Sequence, residues 1–269
     1  MMIDKIMQKI PADFIPLLHK LADASGDVIR PYFRKVGFDD KADLTPVTIA
    51  DRGAEEAIRA ILKTERPQDG IFGEEFGSSN MDAEWSWVID PIDGTKAFIR
   101  GMPIFATLIA LTHNKKFVMG VIDQPILRER WIGGVGHPTT FNDKPVKTRT
   151  CTSIANAVLN ATAPGMFTGK NESFGKTFKP LEDASKYSLW GGDAYAYGLL
   201  ASGFIDIQID ATLQLYDYAA LVPVIEAAGG VITDWQGNAL TFESAQTQHG
   251  CVLACGNATL HQQALALLK

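Results

Sequence analysis

Apolar residues recur at a helical spacing near the amino end of the chain and in short, strand-like runs farther along. The helical spacing predicts an amphipathic helix over residues 14–33 and, after an arm at residues 41–51, a second helix that ends near Glu65. The short runs predict four successive strands in the first half, at residues 85–90, 106–112, 116–122 and 130–133. With a hairpin turn at residues 113–115, these strands are expected to form a meander.

Strands and helices alternate in the second half of the chain, after a polar segment at residues 142–150. The predicted strands are residues 157–161, 186–189, 205–209, 231–234 and 251–254. The predicted helices are residues 193–201, 216–228 and 259–268, and Pro223 is expected to perturb the second of them. This order predicts an α/β (α+β) protein of two lobes, residues 1–145 and residues 146–269, with a ligand site between them.

One apolar run leads directly into the segment Asp90-Pro91-Ile92-Asp93-Gly94-Thr95, which combines two carboxylates with a glycine and a hydroxyl. The strand delivers both aspartates to its carboxyl end, and Pro91 stiffens the turn so that they can face one point. Such hard oxygen ligands suit Mg²⁺ or Mn²⁺. The N–H groups of Gly94 and Thr95 are suited to receive phosphate oxygens. An Asp-rich turn that caps a helix is the alternative interpretation.

Three more acids stand where predicted elements begin or end. Glu74 follows the apolar residues 71–72 and a glycine, Asp51 opens the second helix, and Asp217 stands at the head of the helix at residues 216–228. Each has a simpler explanation, as a solvated loop charge or as a helix cap that interacts with the helix dipole. Together with the segment of Asp90 and Asp93, they place acids at the ends of four predicted elements. Because four separate coincidences are less credible than one site, we expect these acids to lie close together in the fold.

Three sequence blocks, in this order and spacing, resemble the inositol monophosphatase family over nearly the whole chain. They are GEE at residues 73–75, DPIDGT at residues 90–95 and YDYAA…EAAGG between residues 216 and 230. Residues 188–200 and 216–223 resemble the histidinol-phosphatase branch of that family. The resemblance implies a layered α-β-α-β-α sandwich of the inositol monophosphatase and fructose-1,6-bisphosphatase type. It also implies Mg²⁺-dependent hydrolysis of a phosphate monoester, and a homodimer, with which exposed apolar strands near residues 98–111 would be compatible.

The resemblance also implies roles for individual residues. The metal ligands for two or three Mg²⁺ ions, with Mn²⁺ as a possible substitute, would be Glu74, Asp90, the carbonyl of Ile92, Asp93 and Asp217. Thr95 and Asp51 match the positions that orient and deprotonate the attacking water, and Glu74 completes the expected catalytic set. Direct attack by a metal-activated water then needs no covalent enzyme intermediate. The expected substrate-binding residues are Asp93, Gly94, Thr95, Asp193, Asp210 and Asp217.

Two of these acids bear on the choice of substrate. Asp193 follows two glycines at a predicted helix start, where a cap is the alternative role, and Asp210 matches a family position that contacts the alcohol. Two acids beside the leaving group favour a cationic partner, since an ammonium forms charge-assisted hydrogen bonds with them. Histidinol phosphate carries an ammonium and inositol phosphate does not. The first hypothesis is therefore an L-histidinol-phosphate phosphatase of histidine biosynthesis.

Other functions stay open behind it. The nearest is an inositol-1-monophosphatase or a broad sugar or nucleotide phosphatase on the same scaffold, including hydrolysis of 3'-phosphoadenosine 5'-phosphate. A non-catalytic metal-binding regulatory protein is more remote, because such a protein is expected to have lost part of the acidic set.

Other hydrolytic chemistries need different residues. Haloacid-dehalogenase enzymes separate their two aspartates by one residue, whereas two residues separate Asp90 from Asp93. A cysteine nucleophile needs a phosphate-binding loop that ends in arginine, and no such loop follows Cys151. The motifs G-x-S-x-G, G-x-x-x-x-G-K-[ST] and G-x-G-x-x-G are missing from the sequence. Serine hydrolase, nucleotide kinase and dehydrogenase functions are therefore disfavoured.

The composition limits the classes of partner that the protein is expected to bind. The net charge of −6 provides no basic stripe for nucleic acid, so a small phosphate ester that binds after metal is the expected partner. Residues 1–13 lack the apolar stretch of a secretory signal, and no apolar run approaches the roughly 18–20 residues that cross a bilayer. We therefore expect a cytoplasmic protein without a membrane partner. The spacing of Cys151, Cys251 and Cys255 favours reduced core thiols over a zinc site.

Overall fold

The computed structural model describes residues 14–35, 39–40, 46–47 and 49–268 of the 269-residue chain. Residues 41–45 and 48 of the predicted arm therefore lie outside the described residues. On either side of that gap, β1 (Asp39–Asp40) and β2 (Pro46–Val47) pair as a short antiparallel ribbon. The predicted arm also differs at its end, because residues 49–51 already belong to the next helix.

Two helices cover one face of the first sheet. The first, α1 (Phe14–Ile29), tightens into a 3₁₀ turn (Arg30–Tyr32), and Pro31 within that turn cannot donate the next α-helical hydrogen bond. The second, α2 (Ile49–Glu65), begins four residues earlier than the amphipathic pattern that starts at Gly53. Both helices bury an apolar stripe against the sheet, in a core that includes Leu18, Leu21, Ile58, Leu62, Trp87 and Ile109. The two predicted helices are confirmed.

An eight-stranded mixed sheet forms the centre of the first half. Its strand order is β10-β9-β8-β7-β6-β5-β3-β4, and β3 and β5 form the parallel pair. The strands are β3 (Gly70–Gly73), β4 (Gly77–Ser79), β5 (Trp85–Asp93), β6 (Ala106–His113), β7 (Lys116–Gln124), β8 (Glu129–Gly134), β9 (His137–Phe141) and β10 (Lys144–Pro145). The short helix α3 (Thr95–Ile99) follows β5. The predicted meander is confirmed as β5 to β8.

The hairpin between β6 and β7 is tighter than predicted. His113 belongs to β6, and the turn consists of Asn114 and Lys115, whose φ angles are +48° and +59°. Two consecutive positive φ angles are those of a type I′ turn, whose twist matches the flanking strands.

A five-stranded sheet of order β12-β11-β13-β15-β14 forms the second half. Its strands are β11 (Val158–Ala161), β12 (Tyr187–Trp190), β13 (Ile207–Asp210), β14 (Val231–Thr233) and β15 (Val252–Cys255). Its helices are α4 (Glu172–Ala184), α5 (Asp193–Ala201), α6 (Leu215–Tyr218), α7 (Leu221–Ala227), α8 (Ser244–Thr247) and α9 (Ala258–Leu267). All five predicted strands are confirmed within a few residues, whereas α4 was not predicted because Gly175 and Pro180 interrupt its pattern.

The predicted helix at residues 216–228 is interrupted between Tyr218 and Leu221. Pro223 falls in the first turn of α7, where a missing N–H leaves no intrahelical bond unmade. The interrupted helix packs directly on β7, because a Cβ at Gly120 would lie 2.1 Å from the carbonyl oxygen of Ala220. The expected perturbation by Pro223 is confirmed, and it takes the form of a break.

The helices and sheets alternate in five layers. The middle helices, α5 and α7, pack between the second face of the eight-stranded sheet and the five-stranded sheet, in a core that includes Leu108, Trp131, Tyr197, Leu200, Val224 and Val252. On the far side of the second sheet, α4 and α9 bury Phe178, Leu181, Leu260 and Ala264. The layered α-β-α-β-α sandwich is therefore confirmed, whereas the division into lobes at residues 145 and 146 stays a prediction.

The structure also bears on the exposure of residues 98–111, the state of the cysteines and the prediction about membrane-spanning segments. The expectation of exposed apolar strands near residues 98–111 is wrong, because β6 is buried along its whole length between β5 and β7. The three cysteines are buried and free, as predicted. Within the described residues, no helix is both long and apolar enough to cross a membrane.

Candidate active site

A β-bulge at the end of β5 brings the two aspartates of the DPIDGT block together. Asp90 pairs with Leu108 and Asp93 with Ala106, so two residues of β5 lie opposite the single residue Thr107. In a regular strand, residues three positions apart point to opposite faces, and the extra residue removes that mismatch. Thr107 fixes the bulge by donating its hydroxyl to the carbonyl of Pro91 at 2.7 Å. The turn predicted at Pro91 is thus a bulge within the strand.

The third aspartate comes from the second sheet's side of the molecule. Asp217 lies in the first turn of α6, and its Oδ2 accepts the backbone N–H of Gln214 at 2.7 Å in a capping box. Within the described residues, carboxylate oxygens of Asp90, Asp93 and Asp217 lie within 4.8 Å of one another. Asp217 is therefore the third helical residue of a capping box whose cap is Gln214, and it belongs to the acidic cluster at the same time.

The electrostatics of the cluster favour a bound cation. Burial and the charges of Glu74, Asp93, Asp217 and Asp51 raise the pKa of Asp90 well above its ordinary value. Burial likewise raises the pKa of Asp93, and the negative charges of Asp193 and Asp217 raise it further. Burial raises the pKa of Asp217 to about 7, with Glu74 adding to the effect. In the described part of the chain, the buried Oδ1 of Asp90 accepts no hydrogen bond.

Glu74 and Asp51 approach the cluster from the two elements beside β5. Glu74 follows the last residue of β3, and its backbone N–H donates to the carbonyl of Ile89 in β5 at 3.1 Å. Asp51 lies in the first turn of α2 and is 1% exposed. Both carboxylates raise the pKa of Asp90, so both lie near enough to act on it electrostatically. Acids from four segments therefore lie in one region of the fold, and their joint role in a site stays a prediction.

The residues after the bulge contact the second sheet's side of the site. Gly94 has a φ of +86°, and a Cβ there would lie 2.9 Å from Oδ2 of Asp193. The backbone N–H of Ala194 donates to Oδ2 of Asp93. The hydroxyl of Thr95 donates to the carbonyl of Ile92 at 3.1 Å. The start of α5 thus packs on the DPIDGT segment, and the two glycines at residues 191 and 192 are the only feature of the chain that hints at this contact.

Asp193 occupies an unusual backbone conformation at the start of α5. It has a φ of +40° and follows Gly191 and Gly192, whose φ angles are +110° and +104°. The residue that caps α5 is Gly192, and no side chain makes the capping hydrogen bond, so Asp193 does not act as the cap. Burial and the charge of Asp210 raise the pKa of Asp193 to about 7.

Asp210 ends β13 and is already engaged by protein groups. Its oxygens accept hydrogen bonds from the hydroxyl of Tyr197 at 2.9 Å, the amide of Gln208 at 2.8 Å and the backbone N–H of Thr162 at 2.8 Å. Asp210 is 1% exposed, and burial raises its pKa. It acts on the site through its charge on Asp193 and by holding Tyr197 in place.

A small cavity of about 140 Å³ adjoins the acidic cluster. It is lined by Asp93, Thr162, Met166, Asp193, Ala194, Tyr197, Asp210, Thr212, Leu213, Asp217 and Leu221. Sequence reasoning missed the neutral members of this lining, because only their position in the fold reveals them. Larger cavities of about 480 and 760 Å³ lie away from the cluster. The small cavity thus places Asp93 and Asp217 of the cluster beside Asp193 and Asp210, with room for a ligand.

Comparison with known proteins agrees with the fold. The family model described as the inositol monophosphatase family matches residues 11–268. The bifunctional phosphatase IMPL2, chloroplastic, of Arabidopsis thaliana is 48% identical over 95% of this chain and 75% of its own length. A histidinol-phosphatase of Mycobacterium tuberculosis is 34% identical, with 96% of this chain and 98% of the relative covered.

A solved structure supports the same assignment. An inositol monophosphatase from Zymomonas mobilis superposes with a TM-score of 0.85 and 45% identity, over 96% of this chain and 99% of that one. Together with the family match, this similarity identifies a phosphate monoester hydrolase, and the chain belongs to the inositol monophosphatase family.

Proposed function

We propose that this protein is a Mg²⁺-dependent L-histidinol-phosphate phosphatase. The observation that carries the proposal is that the cluster of Asp90, Asp93 and Asp217 opens onto a small cavity with two further acids, Asp193 and Asp210. The cluster suits the metal and phosphate end of a substrate, and the further acids suit a cationic alcohol.

The residues present fit a divalent metal. Carboxylate oxygens of three aspartates lie close together, and the buried Oδ1 of Asp90 accepts no hydrogen bond among the described residues. Burial and neighbouring negative charges raise the pKa of Asp90. Oxygen donors of this kind suit Mg²⁺. Asp90, Asp93, Asp217, Glu74 and the carbonyl of Ile92 would hold the metal. A divalent cation bound there supplies charge neutralisation for the phosphate and lowers the pKa of a nearby water.

Thr95 and Asp51 would orient the water that attacks phosphorus. The hydroxyl of Thr95 donates a hydrogen bond to the carbonyl of Ile92, so its oxygen lone pairs are left to accept a hydrogen bond from the water, whose other proton can be removed by a base. Asp51 is buried beside the cluster and would take up that proton. The water oxygen would then form a bond to phosphorus while the bond from phosphorus to the alcohol oxygen breaks, and the departing oxygen would take up a proton equivalent to the one that Asp51 removed, giving the free alcohol and inorganic phosphate.

Recognition of the alcohol would depend on Asp193. Its carboxylate lies against Gly94, next to the residues that would bind phosphate, and faces the cavity. An ammonium near this buried group would favour its charged form and form a charge-assisted hydrogen bond with it. Asp210 would add negative charge near the substrate without contacting it directly, since three hydrogen-bond donors of the protein already bind its carboxylate. The histidinol-phosphatases among the relatives support this choice of substrate.

Phosphate release from three esters tests the proposal. L-Histidinol phosphate, myo-inositol 1-phosphate and 3'-phosphoadenosine 5'-phosphate are compared by kcat/KM, each with Mg²⁺ and with EDTA. The proposal expects a large preference for histidinol phosphate that disappears with EDTA. A preference for another ester would reject the substrate and keep the metal mechanism. Full activity in EDTA would reject the proposed requirement for a metal ion.

Two expectations about the whole protein stay predictions. One is a homodimer, which light scattering of the purified protein would reveal. The other is a cytoplasmic location, which imaging of the tagged protein in its own cells would test.

A further inference from the structure

A second buried acid lies one helical turn after Asp51 on α2. Glu55 is 0% exposed and Asp51 is 1% exposed, and residues four positions apart lie on the same face of a helix. The two carboxylates therefore share the buried face of α2. Asp51 faces the acidic cluster, and Glu55 faces the turn that follows β3.

Glu55 binds the backbone of that turn. Its Oε2 accepts the N–H of Glu75 at 2.8 Å, and its Oε1 accepts the N–H of Phe76 at 3.3 Å. Arg59, one further turn along α2, donates its Nε to Oε1 of Glu55 at 2.7 Å and its Nη2 to the carbonyl of Gly77. The residues directly after Glu74 are thus held by charge-assisted hydrogen bonds from α2.

The residue before Glu74 is fixed as well. Gly73 pairs with Ile89 in the parallel ladder between β3 and β5. A Cβ at Gly73 would lie 2.0 Å from Oε1 of Glu55, so the glycine is what lets the carboxylate lie against the strand. The backbone is therefore held on both sides of Glu74, which limits the positions that its side chain can reach. The Glu74 carboxylate lies near enough to Asp90 to raise the pKa of that group.

We infer that Glu55 is a positioning residue for divalent metal binding, acting through Glu74. The inference rests on the metal site of the proposed function. A group that orients a metal ligand typically changes metal affinity by about 10–100-fold when it is removed.

The substitution Glu55→Gln tests the inference with little change in shape. The amide keeps one acceptor oxygen but presents an NH₂ group to donors, so it cannot hold both N–H groups and Arg59. We expect the Mg²⁺ dissociation constant, measured by calorimetry on the EDTA-treated and dialysed protein, to rise by about tenfold or more. The Mg²⁺ concentration for half-maximal activity should rise likewise, while kcat at saturating Mg²⁺ stays within about threefold of the wild type.

Two variants on the same helix serve as controls. Glu56→Gln removes an exposed charge next to Glu55, and Leu62→Ala removes a buried side chain away from the turn. Both should keep the wild-type Mg²⁺ affinity, although Leu62→Ala lowers stability by about 2–5 kcal/mol. An affinity of Glu55→Gln within twofold of the wild type would overturn the inference, as would an equal loss in folded Leu62→Ala. A wild-type protein that binds no Mg²⁺ would instead overturn the proposed function.

Discussion

Replacing Asp217 with asparagine should stabilise the metal-free protein at neutral pH and abolish its stabilisation by Mg²⁺. Burial and the nearby charge of Glu74 raise the pKa of Asp217 from 3.8 to about 7, so the folded protein favours the protonated carboxyl. Asparagine keeps an oxygen that can accept the N–H of Gln214 and carries no charge. The substitution therefore removes the electrostatic cost while it retains the cap.

The sign and the size of the effect follow from the pKa. Between about pH 4 and about pH 7 the folded state binds more protons at Asp217 than the unfolded state, so the free energy of unfolding falls as pH rises. A pKa change from 3.8 to about 7 corresponds to about 4 kcal/mol at most. Because Asp217 is partly exposed and water screens its charge, we expect about 2 kcal/mol. The free energy of unfolding of Asp217→Asn should not show this decline as the pH rises.

Urea denaturation in EDTA, at about pH 4 and about pH 8, measures the difference between Asp217→Asn and the wild type. The variant should match the wild type at the lower pH and exceed it by about 2 kcal/mol at the higher pH. Added Mg²⁺ should stabilise the wild type and leave the variant unchanged. A variant that is less stable at both pH values by the same amount would refute the electrostatic reasoning. A variant that Mg²⁺ still stabilises fully would refute the role of Asp217 as a ligand.

The remaining predictions concern turnover, specificity and packing. Asp93→Asn should abolish turnover while it leaves the circular dichroism spectrum intact, and activity retained at saturating Mg²⁺ would count against the site. Asp193→Ala should raise KM for histidinol phosphate more than for myo-inositol 1-phosphate, and an equal rise for both would contradict charge recognition. Gly198→Ala should lower stability in urea denaturation by about 1–3 kcal/mol, because a Cβ there would lie 2.7 Å from the ring of Trp131. The control Gly165→Ala, where a Cβ meets no atom within 4 Å, should change stability by less than about 0.5 kcal/mol.

Much of the secondary structure could be predicted from the chain because apolar spacing reflects the faces that each element buries. The strands β5 to β8, which form the meander, are of this kind, and so are the helices α1 and α5. The prediction failed where burial is slight or the pattern is interrupted. Helix α4 buries two residues, Phe178 and Leu181, and contains Gly175 and Pro180, which are both unfavourable inside a helix. The short edge strands β4 and β10 are exposed and show no apolar alternation.

From motif spacing alone, Glu74, Asp90, Asp93 and Asp217 can be predicted as metal ligands without coordinates. The sequence did not determine how they meet. The bulge that turns Asp90 and Asp93 to one side depends on Thr107 in the next strand, and the approach of Asp217 depends on the packing of α6 and α7 across the sheet. Likewise, only the tertiary structure gives Glu55 its contacts with the turn after Glu74. A side chain's type and its place along an element are local properties of the chain, whereas the distance between two carboxylates is set by every layer that packs between and around them.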